Sequence, residues 1–285
     1  MKTEITEILT KAHFSKGFIE YIETEFPEDY IPLIDQPYQY EFPDNPLVDL
    51  SVKERLFLSV YELITLKAFF DSKEIPNHLF YDSIHDLSYR IERYNSTYGE
   101  YGLSSRDALW LRFMYKGEMF DLGSLRFQKF HFSYPEIERQ DYDYMPLSDE
   151  MKDRFPEGEP IINVHIMKDA DLSPTKLDES FKLAHNFFTT YFPEHKYTAF
   201  TCRTWMLYPP TQEILPPDSN ITAFANRFEI IATNKNSKQA LDRIYETSNM
   251  EEIKAMEKIS SLAEVAYKNL DKLGVAAGVI ERDRT

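Results

Sequence analysis

The chain has 285 residues, 48 acidic side chains against 32 basic ones and a formal charge of −16. That surplus excludes sequence-independent binding to nucleic acid or to an anionic membrane, because no basic run is segregated from it to meet phosphates. One cysteine excludes an intramolecular disulfide and a cysteine-built metal cluster, and 42% hydrophobic residues with 21 Phe, 19 Tyr and only 8 Gly describe an aromatic-rich globular chain.

Met1-Lys-Thr-Glu-Ile opens an acidic amphipathic segment with no hydrophobic signal core. No apolar stretch nears the roughly 20 residues that span a bilayer, so a cytoplasmic location is expected. Ile5, Ile8, Leu9 and Ala12 line one helical stripe, which Phe18, Ile19 and Ile22 continue. Residues 27–46 carry Pro27, Pro32, Pro37, Pro43 and Pro46 among tyrosines and acids, which predicts an extended segment lying over a surface. Ser51-Val-Lys-Glu54 is a capping box ahead of Leu56, Val60, Leu63 and Leu66, predicting a helix to about Phe70. Pro76 starts another, with Phe80, Ile84, Leu87, Ile91 and Tyr94 along one seam, and Ser105 to Tyr115 offers one more before Gly117. These make a helical N-terminal domain, residues 1–117, of about five helices.

From residue 118 to 285 the pattern turns to short β-rich runs, which predicts a second domain. Leu125 to Phe132 reads as a strand whose apolar parity switches near Gln128, so a bulge is expected there. Residues 134–159 are acidic and proline-punctuated and predict a solvated connection. Ile161 to Met167 reads as a buried strand. Ser173-Pro174 caps a helix with Leu177, Phe181, Ala184, Phe188 and Tyr191 on one stripe. Tyr197 to Leu207 reads as a long strand and Arg227 to Thr233 as another. Ser248-Asn-Met-Glu251 opens a long helix ending at Leu273-Gly274, and Val275 to Ile280 is a final strand. Asp218-Ser-Asn220 caps a short helix at Ile221 to Asn226. The fold class is α+β, a helical domain packed on a mixed sheet with flanking helices.

Several side chains are chemically able in this frame. Cys202 serves either as an acid or nucleophile or, beside Phe200 and Met206, as a small buried hydrophobe. His165 alternates with Val164 and Ile166 and either faces a cleft or makes a structural hydrogen bond. His131 has the same ambiguity, while His185 and His195 read as surface residues. Arg203 and Trp205 share strand parity, so they form either a stacking and guanidinium face for a ligand or a core tryptophan with a snorkelling arginine. Tyr208 and Glu213 bracket a loop or short helix, where acid and base or turn and capping roles both fit. Arg227 can pair Asp218 or Glu229, or reach a ligand. No spacing for a dedicated metal site appears, and neither a Gly-x-Gly-x-x-Gly nor a P-loop is present.

Leu122-Gly-Ser-Leu-Arg-Phe-Gln128, Val164-His-Ile166, Cys202-Arg-Thr-Trp-Met-Leu207 and Leu215-Pro-Pro-Asp-Ser-Asn-Ile221 followed by Phe228 give the chain a family look. In that combination it resembles a family of bacterial acyltransferase-domain proteins with a helical N-terminal domain and a C-terminal domain similar to the GCN5-related N-acetyltransferases (GNAT). The resemblance implies an acyl-CoA-dependent N-acyltransferase acting on a small-molecule or peptide amine, with acyl-CoA or acetyl-CoA as co-substrate. It implies a pantetheine arm along Ile161–Met167, bonded by backbone around Val164 and Ile166 where that strand splays from Phe200–Leu207. Lys168, Ser173 and the following helix N-terminus would face the pyrophosphate. It also implies His165 or Glu213 as base, Cys202 or Tyr208 as acid, and Arg203, Trp205 and Arg227 near the substrate. The loop Met167-Lys-Asp-Ala-Asp-Leu-Ser173 departs from the usual glycine-rich phosphate loop, so it predicts that the cofactor binds differently or not at all. A non-catalytic ligand-binding or protein-interaction module is the alternative. Hydrolysis through a Cys202–His165 pair is a third reading, and it needs both side chains within hydrogen-bonding reach.

Overall fold

The computed structural model describes residues 1–40, 45–134, 147–257 and 260–282. It divides into two compact units, Met1–Leu122 and Gly123–Thr285.

The first unit is helical: α1 (Lys2–Lys11), α2 (Lys16–Glu25), α3 (Val52–Ser72), α4 (Asn77–Ser83), α5 (His85–Tyr98) and α6 (Ser105–Tyr115). The Ser51–Glu54 capping box forms with both reciprocal bonds, satisfying two helical N–H groups that would otherwise lack partners. The single helix expected after Pro76 is two. The chain breaks at Ile84, yet Phe80, Ile84, Leu87 and Ile91 stay fully buried along one seam. Arg55 is buried on α3 and ties the loops around it together, donating from Nε to the Leu103 carbonyl at 2.8 Å and from Nη1 to those of Leu47 and Leu50. The proline-rich arm is anchored by Tyr38, whose ring stacks on Tyr115 at 4.1 Å and whose hydroxyl meets Ser59 Oγ at 2.5 Å. Residues 41–44 of the arm, Pro43 among them, lie outside the described residues.

The strands β1 (Met119–Leu122), β2 (Leu125–His131), β3 (Pro160–His165), β4 (Ala199–Thr204), β5 (Glu229–Asn234) and β6 (Val275–Glu281) form one mixed sheet in the order β1-β2-β3-β4-β6-β5. β2 runs antiparallel to β3, β3 parallel to β4, and β6 antiparallel to both β4 and β5. The helices of this part are α7 (Asp149–Arg154), α8 (Pro174–Tyr191), α9 (Pro209–Gln212), α10 (Asn220–Ala225), α11 (Lys238–Tyr245), α12 (Met250–Ala255) and α13 (Ser261–Lys268). The α+β class expected from the sequence is present, with β1 as a strand the sequence reading did not include.

Four expectations are corrected. β2 pairs with β3 in unbroken register from Arg126↔His165 to His131↔Pro160, so no bulge sits at Gln128. The parity switch arises because both faces of the sheet are covered: Phe127 packs on Phe181 of α8, while Phe130 and Phe132 join the opposite core with Phe155 and Ile161. The irregularity lies instead on β5, between Ile230 and Ala232. β4 ends at Thr204 rather than Leu207, since Trp205–Leu207 turn into a 3-10 helix in which Thr204 Oγ1 accepts the Met206 N–H. The long helix after Ser248 is α12, capped by Asn249 rather than Ser248, then α13 and a 3-10 turn at Leu270–Lys272. The connection 134–159 is more than solvated loop. Its residues 135–146 lie outside the described residues, but Ser148 caps α7, Phe155 is buried, and Arg154 bridges Glu229 bidentately at 2.7 and 2.9 Å and Glu281 at 2.6 Å.

α8 is held against the sheet by aromatic packing and one tight turn. Phe127, Phe181 and Phe200 meet edge-to-face with centroids 5.2–5.7 Å apart, each buried ring worth about 1.5–3 kcal/mol. At the β1–β2 turn, Gly123 has φ +75°, and a Cβ there would lie 2.5 Å from Ser180 Oγ, the atom that accepts the Ser124 N–H at 2.8 Å. Gly123→Ala should therefore destabilise the protein by at least the left-handed penalty of about 1–2 kcal/mol. A urea melt, or a thermal midpoint lower by roughly 5 °C, will register it; an unchanged midpoint would mean that the turn relaxes freely.

Candidate active site

The parallel ladder between β3 and β4 pairs Ile161↔Ala199, Ile162↔Phe200 and Asn163↔Thr201 and ends there. Each strand nonetheless continues, β3 to His165 on β2 and β4 to Thr204 on β6. The two central strands thus part at mid-sheet, each held by its outer neighbour.

Register and alternation sort the side chains at this point onto two faces. Ile162, Val164, Phe200 and Cys202 share the α8 face with Phe127. Arg126, Gln128, Asn163, His165, Thr201 and Arg203 share the other. On that second face they stand in two rows: Gln128, Asn163 and Thr201 at the last paired position, then Arg126 and His165 on one side of the parting and Arg203 on the other. Thr201 Oγ1 donates to Asn163 Oδ1 at 3.4 Å. His165 Nε2 lies 2.9 Å from Gln128 Oε1. Because a side-chain carbonyl oxygen only accepts, Nε2 is the donor in this bond.

Cys202 is buried on the α8 face, and desolvation pushes its thiol up to about 12. His165 faces the opposite side of the sheet, so the Cys202–His165 hydrolytic pair is excluded by strand parity. Met206 does not share the face of Cys202, since it lies in the 3-10 turn. Trp205 likewise leaves the face of Arg203 and packs with Ala240, Leu241, Tyr245, Ile253 and Leu273; the shared-parity expectation fails because the strand ends one residue earlier. Tyr208 is buried beyond that turn, and its ring lies so close to Gly274 that a Cβ there would be 2.5 Å from Tyr208 Cε1. Glu213 is exposed and paired with Lys272 at 2.7 Å.

The loop after β3 is internally engaged. Lys168 pairs with Glu246. Asp171 Oδ1 accepts the Ser173 N–H at 2.9 Å, and that bond holds its carboxyl below the usual range. Ser173 is the N-cap residue of α8 by position, though its side chain makes no capping bond. Arg227 pairs with neither Asp218 nor Glu229. It reaches over the first turn of α8, to Asp178 at 2.7 Å and the Pro174 carbonyl at 3.3 Å. His185 and His195, expected at the surface, are half-buried: His185 Nδ1 meets Tyr197 Oη at 2.9 Å, and His195 Nε2 donates to the Ile161 carbonyl at 2.9 Å. Burial lowers the His195 pKa. His195 thereby fixes the start of β3, a role no local pattern announces. Arg126 and Gln128 had a signal in the sequence, since residues two apart on a strand share a face.

The buried thiol has a measurable consequence. The unfolded chain loses the Cys202 proton above about pH 9 while the folded chain keeps it to about 12, so stability falls as pH rises through that window. From pH 8 to 10 the native protein should lose about 1.4 kcal/mol more than Cys202→Ala in urea melts, and native Cys202 should resist thiol reagents at pH 8. Rapid stoichiometric labelling of the folded protein would contradict this burial.

Among the described residues no helix is long and apolar enough to cross a membrane. No curated protein matches the chain by sequence. Solved structures do match its fold. An acyltransferase in complex with decanoyl-CoA superposes with a TM-score of 0.71 at 19% identity, over 98% of this chain and 88% of that one. An acyltransferase mutant in complex with octanoyl-CoA gives 0.73 at 18%, with the same coverage. An acyltransferase in complex with decanoyl-CoA and teicoplanin gives 0.65 at 20%, over 80% of this chain, which spans 66% of that structure's length. Residues 119–280, more than half of the chain and all of the sheet but the last residue of β6, match the model of the GNAT-like C-terminal domain, and the chain belongs to that family.

Proposed function

We propose that this protein is an acyl-CoA-dependent N-acyltransferase acting on a primary amine. The observation that carries the reading is the parting of β3 and β4 beyond Asn163↔Thr201, with a histidine oriented by the Gln128 amide beside it. Structures of the same fold that hold decanoyl-CoA or octanoyl-CoA support it.

In this reading the pantetheine arm lies along the end of β3, meeting backbone at Val164 and Ile166, and the acceptor amine arrives on the face of His165. The amine nitrogen attacks the thioester carbonyl, His165 Nδ1 takes its proton, and collapse of the tetrahedral adduct expels the CoA thiolate. His165 is the better base than Glu213, whose carboxylate is exposed and held by Lys272. The thiolate is protonated by Tyr208, because a thiol raised to about 12 holds its proton too tightly to serve. Arg203, across the parting from His165, contacts the acceptor. Arg227 and Lys168 meet the cofactor's phosphates by exchanging Asp178 and Glu246 for them, with Ser173 at the helix N-terminus; Trp205 shapes the site through packing alone. The location expected is cytoplasmic.

A second reading, a non-catalytic binding module, draws on one observation: Asp171 already occupies the Ser173 N–H where a phosphate oxygen would bind. Calorimetry with decanoyl-CoA, octanoyl-CoA and acetyl-CoA, followed by CoA release with a panel of primary amines that includes teicoplanin, separates the two. The enzyme reading expects binding and turnover, with His165→Asn lowering kcat by about 100-fold or more at unchanged acyl-CoA affinity, and Glu213→Gln leaving kcat intact. Binding without turnover would favour the module, and absence of binding would overturn the acyl-CoA assignment.

A further inference from the structure

Gln128 is 2% exposed, and its amide is satisfied at one end only. Oε1 accepts from His165 Nε2 at 2.9 Å, while Nε2 is sealed from solvent with no hydrogen-bond partner among the described residues. A buried donor with two N–H groups is seldom left so, and such exceptions call for a ligand, an ordered water or a catalytic role. Its position narrows the choice. Gln128 stands opposite Asn163 in the last row where β3 and β4 are still paired, one row from His165. The same amide that orients the base thus presents an unused donor beside the point where the central strands separate.

We propose that Gln128 Nε2 donates to the thioester carbonyl oxygen of bound acyl-CoA and to the oxyanion that replaces it. This rests on the acyltransferase reading and adds a residue to it. When the amine forms its C–N bond, the carbonyl π pair moves onto oxygen, and the negative charge develops where a preorganised amide N–H already stands. The amine proton goes to His165 Nδ1. As the oxygen lone pair reforms the carbonyl, the C–S bond breaks and the thiolate leaves with that electron pair, to be protonated by Tyr208, which recovers its proton through solvent. Donors held in place in a water-poor site stabilise such an oxyanion without reorganising during the reaction. Holding both base and oxyanion from one rigid strand also fixes their separation.

Gln128→Glu keeps an acceptor for His165 Nε2–H but deletes the donor, whereas Gln128→Leu deletes both. With decanoyl-CoA labelled with carbon-13 at the carbonyl, isotope-edited infrared spectra should show the bound thioester stretch moved to lower frequency in the wild type and restored toward the free value in both variants. In turnover with the best amine of the panel, Gln128→Glu should lower the plateau kcat about 100-fold while its alkaline-shifted pH profile shows that His165 still titrates. If the wild type binds no decanoyl-CoA, the acyltransferase reading itself fails. If it binds and turns over, the proposal is overturned by a stretch insensitive to Gln128, or by Gln128→Glu reaching the wild-type plateau, which would assign Gln128 to positioning His165 or to holding a water. Should Gln128→Leu fail to fold, Gln128→Glu carries both measurements.

Discussion

A parallel strand pair that stays laddered for three positions and then parts is the constraint on which this C-terminal domain is built. Parting in the middle of a sheet is costly, because backbone groups that leave a ladder need other partners. It persists here because each strand is secured from outside: β3 by six paired positions on β2 and by His195 on the Ile161 carbonyl, and β4 by six positions on β6. The Phe127–Phe181–Phe200 cluster covers the face beneath α8. On the other face, Phe132, Phe155, Ile161 and Ala199 close the paired end of the strands.

The same register decides which chemistry can cooperate. Cys202 and His165 lie close in the topology, yet alternation sends one toward α8 and the other away, and no rotamer change moves a side chain through a sheet. What gathers around His165 is polar: Gln128, Asn163 and Thr201 in one row, Arg126 and Arg203 in the next. Of these, the Gln128 amide has a buried donor with no partner among the described residues.

The loop between β3 and α8 engages its charges locally. Two aspartates and no glycine read as a barrier to phosphate. In the structure Asp171 is folded back onto the Ser173 N–H, and Lys168 and Arg227 hold exposed carboxylates of Glu246 and Asp178. Such pairs at the surface contribute little, about 1 kcal/mol or less each, so an anion can displace them.

Hydrophobic periodicity and capping chemistry are local, which is why the helices at Val52–Ser72, Ser105–Tyr115 and Pro174–Tyr191 and the succession of five of the six strands were legible along the chain. The capping box at Ser51 and the stripe Leu177, Phe181, Ala184, Phe188 act within one or two turns. Gln128 and His165, by contrast, are 37 residues apart and meet through register. The end of β4 at Thr204 was hidden for a related reason: a 3-10 turn buries Trp205 as well as a strand would, so apolar content cannot tell them apart. Which face of each long helix is buried followed from the order of amino acids. Which side chains of the sheet face one another followed from strand register, a property of pairs distant in sequence and therefore set only when the sheet assembles.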